Sequence, residues 1–195
     1  EFEPGATRLY SNPSIGLFGR AAAKCAGEDF ASLMTETLLP ALGLGLRHTF
    51  IDVPPDQSSR YAFGHDRNDR PIRVNPGPLD DEAYGIKTCA ADMAEFLRVQ
   101  MTEQRDPTLA KAIAMTRVGH FSVGPMTQGL GWEMYAYPVA LDDLLAGNSP
   151  GIIFEANPAG PPVDFGHAAL LNKTGSTGGF GAYVVCVPER GIGVV

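Results

Sequence analysis

The sequence predicts a mixed fold in which helices come first and a sheet follows, α/β joined to all-α, and three observations carry that prediction. Apolar residues recur at helical spacing from Pro13 to Leu39 and again from Cys89 into the stretch after Asp106-Pro107. Between Phe50 and Gly85 the periodicity disappears and prolines gather, as in VPPDQSS and NPGPLDDE. After Gly131-Trp132 the pattern shifts toward short apolar runs separated by glycine and proline, the mark of strands and hairpins.

Taken in order, Pro13 to Cys25 reads as a helix with Asn12 as N-cap and proline at the first helical position. Asp29 to Leu39 sets Phe30, Leu33, Met34 and Leu38 on roughly one face, and Pro40 ends or kinks it. The 50–87 region is expected to be a long ordered loop. Thr88 caps a helix from Cys89 to Met101 with Met93, Phe96 and Leu97 inward, and another helix follows Asp106-Pro107. Gly151 to Phe154 and Leu170 to Lys173 read as short strands. Gly181 to Val187 and Ile192 to Val195 read as a hairpin joined by Pro188-Glu189-Arg190-Gly191. The expected division is residues 1–146, mainly helical, and 147–195, mainly sheet.

Composition narrows the function classes. The 195 residues are 44% hydrophobic, enough for a core, and no apolar run is long enough to cross a bilayer. A formal net charge of −7 with no Lys/Arg-rich stripe argues against a nucleic-acid partner. Cys25, Cys89 and Cys186 are an odd number in apolar settings and are expected to be buried free thiols. His48, His65, His120 and His167 lie far apart without ligand spacing, so no metal site is expected. Trp132 is expected in the core.

The chemistry concentrates in NKTGSTGGFG, Asn172 to Gly181. Lys173 supplies a point charge suited to a carboxylate, Thr174 and Ser176 supply donors, and the glycines let a ligand approach the backbone. A second element, Tyr10-Ser11-Asn12, precedes the first helix. With RLYSNPSIGLFG, GPLDDEAYGIKT, MTQGLGWEM and LLNKTGSTGGFGAYV in that order, the chain resembles the class C serine β-lactamases, penicillin-recognising serine hydrolases, closest in flavour to the chromosomal enzymes of pseudomonads.

That resemblance implies a helical domain inserted into an antiparallel-sheet α/β domain, of which this chain holds a part. The N-terminal strands, the nucleophile-bearing helix and the C-terminal helix are expected to be absent. It implies hydrolysis of cephalosporins and penicillins through an acyl-enzyme, conferring antibiotic resistance, in a periplasmic, monomeric parent that needs no cofactor. Tyr10 becomes the candidate acid/base, as a phenolate or as a proton relay, since a free tyrosine ionises only in alkaline solution. Lys173, Thr174 and Gly175 are expected around the substrate carboxylate, with the Ser176 N–H as half of an oxyanion hole. Asn12 is expected to hold the acyl side-chain amide, and Tyr84 to line the wall beside that side chain. The rim loop Ala146 to Pro162 resembles the family poorly.

One part of the family's equipment is missing from these residues. No serine is followed three positions later by lysine, and only nine residues precede Tyr10. The chain begins without methionine and stops inside an apolar run, so it is read as an internal piece of a longer enzyme, inactive by itself. D-alanyl-D-alanine peptidases and serine esterases share the scaffold, and a non-catalytic binder of cell-wall peptides is a third reading.

Overall fold

The computed structural model describes residues 2–45, 48–165 and 168–195. In chain order, β1 (Thr7–Arg8) leads into α1 (Asn12–Ala26). The cap of α1 is Ser11 rather than Asn12: the Ser11 hydroxyl accepts from the Ser14 N–H at 3.2 Å, and Gly27 closes the helix at φ 79°. Capping by Ser11 leaves the Asn12 amide free for other work.

The expected helix over 29–39 is capped by Asp29, whose carboxylate accepts from the Ser32 N–H at 3.0 Å. It is not uniform. A short α turn, α2 (Phe30–Ser32), passes into a π segment, Leu33–Leu38, and returns to α3 (Leu39–Ala41). The wider π register falls just before Pro40, which has no N–H for an α-helical bond, and one turn earlier the Thr35 hydroxyl donates to the Ala31 carbonyl at 2.8 Å.

The aperiodic stretch contains a 3-10 turn at Pro55–Arg60, a two-residue hairpin of β2 (Gly64–His65) and β3 (Pro71–Ile72), and α4 (Asp80–Tyr84). Asp66 builds the hairpin's turn by accepting from the Asn68 and Arg70 N–H groups at 2.8 and 3.0 Å. Its bond with the Arg70 side chain holds its carboxyl below the usual range. Two helices follow, α5 (Ala90–Met101) and α6 (Pro107–Thr116), the second starting after Asp106 as expected, with the Asp106 carboxylate as its cap.

Here the structure departs from the sequence reading. Three short strands, β4 (Phe121–Val123), β5 (Met126–Gln128) and β6 (Glu133–Ala136), precede residue 147: the sequence reading named no strand over β4 and β5, while β6 follows Trp132, where the pattern turns strand-like. Runs of three or four residues are too short to show a period of two. The strand expected at Gly151 to Phe154 is instead a helix. α7 (Leu141–Ala146) precedes α8 (Pro150–Phe154), whose Pro150 occupies the first turn, where its missing N–H costs nothing.

β7 (Asn157–Pro158) pairs with β1, and the long strands β8 (Ala169–Thr177) and β9 (Phe180–Val187) lead through Gly191, at φ 62°, to β10 (Ile192–Val194). The main sheet runs β10-β9-β8-β6-β5-β4. In the antiparallel β6/β8 pair, Glu133 faces Asn172 and Tyr135 faces Leu170.

Two compact units divide the chain, each discontinuous. The first comprises Glu1–Tyr10, Leu97–Thr174 and Tyr183–Val195, the second Ser11–Phe96 and Gly175–Ala182. The first unit's core is Val123, Met126, Tyr135, Leu170 and Val187, joined by Phe121, Tyr137, Leu144 and Ile152. Trp132 is buried there, as a core residue should be. In the second unit Ala23, Met34, Leu39, Leu42, Leu44 and Ile51 are buried.

Within the second unit the tip of the β8–β9 hairpin lies against β2. A Cβ on Gly179, whose φ is 80°, would meet the His65 amide nitrogen at 2.8 Å and the Gly64 carbonyl carbon at 2.9 Å; one on Gly64 would strike the Gly179 carbonyl oxygen. Gly179 is therefore required both by its left-handed backbone and by close approach. We expect Gly179→Ala to cost about 2–3 kcal/mol in thermal unfolding, whereas Gly181→Ala, with open space around it, should stay within about 0.5 kcal/mol. Equal shifts would contradict the packing.

Tyr135 gives a pH-dependent counterpart in the first unit. It is 1% exposed, its hydroxyl has no hydrogen-bond partner, and burial with the nearby Glu133 charge raises its pKa to about 12. A folded-state pKa above the unfolded value of about 10 means that this contribution is complete below about pH 10 and lost as pH climbs through 12. Tyr135→Phe should flatten the alkaline stability loss between those values by about 2–3 kcal/mol, with little change at pH 7. An unchanged alkaline limb in urea unfolding would refute it.

Candidate functional site

Each unit carries part of the predicted set. In the first, Tyr10 follows β1 and Lys173 stands on β8. The Lys173 ammonium lies 5.2 Å from the centroid of the Tyr10 ring, a cation–π distance. Tyr10 is 40% exposed. The Lys173 ammonium also donates to the Thr174 carbonyl at 2.8 Å, while the Thr174 hydroxyl donates to the Asn148 side-chain oxygen at 2.9 Å.

Beneath Lys173 lies a residue to which the sequence reading gave no part in the site. The Glu133 carboxylate, 4% exposed, is 3.5 Å from the Lys173 ammonium and 3.2 Å from the Arg8 guanidinium through the same oxygen, Oε1. Arg8, two positions before Tyr10, is 8% exposed and also donates to the Ile152 carbonyl at 2.9 Å and the Gln128 side chain at 3.3 Å. Asn172 is fully buried and donates to the Glu133 carbonyl at 2.8 Å. Arg8, Glu133 and Asn172 thus form one buried polar cluster that ties the strand leading to Tyr10, the start of β6 and the residue before Lys173. A charged residue inside the otherwise apolar Trp132-Glu133-Met134-Tyr135 was the available signal.

In the second unit Asn12, Tyr84 and Ser176 line a single cavity of about 530 Å³, together with Arg73 and Thr177. Asn12 reaches it from the first turn of α1 and Tyr84 from the end of α4, where the tyrosine hydroxyl packs close to Gly77. Gly175 is exposed, and a Cβ there would meet nothing nearer than the Ala182 methyl at 4.0 Å. The peptide approaching Ser176 is therefore open to a ligand.

Among the described residues no group of three or more His, Cys, Asp or Glu side chains could hold a metal ion, and His167 lies outside them. No described helix is long and apolar enough to cross a membrane. The three cysteines are free, but only Cys186 is buried, its thiol pushed up to about 11 by that burial. Cys89 is half-buried and Cys25 is exposed, because Cys25 falls on the outer face of the last turn of α1.

Among solved structures, class C β-lactamases share the fold of this chain. The chain superposes on a class C beta-lactamase in complex with cefoxitin with a TM-score of 0.91 and 38% identity, over 98% of this chain and 54% of that one. It superposes on a D-alanine carboxypeptidase AmpC from Burkholderia cenocepacia with a TM-score of 0.93 and 45% identity, over 98% and 56%. The Beta-lactamase family model matches residues 1–195, and the chain belongs to that family. A beta-lactamase of Pseudomonas fluorescens is 52% identical over all of this chain, which spans 55% of that relative's length.

Proposed function

We propose that this chain is part of a serine β-lactamase of class C that opens the β-lactam amide of cephalosporins and penicillins through an acyl-enzyme. The observation that carries the reading is the Lys173 ammonium, held by the buried Glu133 carboxylate and set 5.2 Å from the exposed Tyr10 ring. A tyrosine beside a fixed cation is suited to moving protons to and from a nucleophile and a leaving nitrogen. Lys173 and Thr174 bind the lactam carboxylate, the Ser176 N–H supplies half of the oxyanion hole, and Gly175 leaves the backbone there accessible. Asn12 holds the acyl side-chain amide and Tyr84 forms the wall beside it.

The nucleophile is a serine in a Ser-x-x-Lys element that the 195 residues do not contain, and the reading requires it upstream of Tyr10 in the parent gene. The parent acts in the periplasm as a monomer, without cofactor, as a cephalosporinase that confers antibiotic resistance, and this segment alone has no turnover. The expected division into a helical part and a sheet part belongs to that parent. Reading the coding sequence before Tyr10 tests the nucleophile directly: without a Ser-x-x-Lys the enzyme reading fails, leaving a non-catalytic binder of cell-wall peptides.

A second reading has a specific motive, because a relative with 45% identity is described as a D-alanine carboxypeptidase. Purified parent protein should hydrolyse a chromogenic cephalosporin rapidly, with no effect of chelators. Comparable rates on a D-alanyl-D-alanine peptide would favour the peptidase, and an esterase would show its preference on simple esters.

A further inference from the structure

Among the described residues, Arg73 is the one of formal charge on the wall of the cavity that holds Asn12, Tyr84 and Ser176, and no described acidic side chain shares that wall. Its guanidinium is clamped between two rings, 4.5 Å from the Tyr61 centroid and 4.1 Å from that of Phe63. Nη2 donates to the Tyr61 carbonyl at 2.9 Å and the Ser58 carbonyl at 3.4 Å. These contacts fix the plane of the cation without neutralising it, since two carbonyls and two ring faces carry no net charge. Among the described residues no carboxylate pairs with it, and its Nε is buried without an acceptor.

A side chain serving only as a loop staple would satisfy that buried donor, because leaving it unpaired is costly. A guanidinium immobilised before any ligand arrives, unneutralised and on a cavity wall, is suited to recognising an anion with little further ordering. We infer that Arg73 is a specificity-determining residue that selects substrates carrying a carboxylate on the acyl side chain. The inference rests on the reading of the cavity as the acyl-side-chain pocket, in which Asn12 and Tyr84 take part.

The test compares benzylpenicillin with its α-carboxylated counterpart, which differ only in that carboxylate, in the parent protein and in two variants. Arg73→Gln should lower kcat/KM for the carboxylated compound about tenfold relative to benzylpenicillin, and Arg73→Lys should restore most of the ratio. An equal fall for both compounds in Arg73→Gln would reduce Arg73 to a loop staple and overturn the inference. If the unsubstituted parent hydrolyses neither compound, the lactamase reading fails separately, and ligand-induced shifts of the unfolding midpoint still decide the role of Arg73. A larger shift by the carboxylated compound, abolished in Arg73→Gln, supports it; shifts independent of the carboxylate refute it.

Discussion

Glu133→Ala is expected to destabilise the parent protein by about 3–5 kcal/mol, read as a loss in urea unfolding at neutral pH, because it strands the buried Arg8 charge. Arg8 keeps its bonds to the Ile152 carbonyl and Gln128, but both partners are neutral and cannot replace a carboxylate. Arg8→Ala should cost a similar amount, and the double substitution clearly less than the sum, since removing both charges leaves neither uncompensated. Glu133→Gln should fall between, keeping the shape and losing the charge. A loss below about 1 kcal/mol in Glu133→Ala would mean that the pair behaves like an exposed surface bridge.

The second large effect is on catalysis. Tyr10→Phe should lower kcat/KM of the parent on a chromogenic cephalosporin by about 10²–10⁴, the range for losing a positioned acid/base, while stability changes by under about 0.5 kcal/mol. The ring that meets the Lys173 ammonium is retained in phenylalanine, and the removed hydroxyl belongs to a side chain already 40% exposed. A fall in activity matched by a comparable loss of stability would assign Tyr10 to the fold rather than to proton transfer. Unchanged activity would remove it from the mechanism.

The two predictions differ in how visible their residues were before folding. Tyr10, Asn12, Lys173, Thr174 and Ser176 stood out because their types and order form motifs, and motifs survive in a linear string. Glu133 did not, because its meaning depends on burial and on Arg8, 125 positions away. Arg73 was hidden for the same reason: its neighbours Tyr61 and Phe63 are near in sequence, but only the hairpin that turns at Asp66 stacks them on the guanidinium. Helices were legible where several turns repeat the apolar pattern, as in α1, α5 and α6. Strands of three residues and the switch at Pro150 were not, because pairing partners and caps outweigh local propensity over so short a span.

By itself, then, the sequence determined the family, the longer helices α1, α5 and α6, the final hairpin and the motif residues of the candidate site, since these depend on residue types and local spacing. Only the tertiary structure decided that sheet begins at Phe121 and that Ser11 rather than Asn12 caps the first helix. It also decided that Lys173 rests on a buried carboxylate shared with Arg8. The physical reason is range: a cap or a motif is read within a few residues, whereas an ion pair gains its strength from the desolvation that distant segments impose when they pack around it.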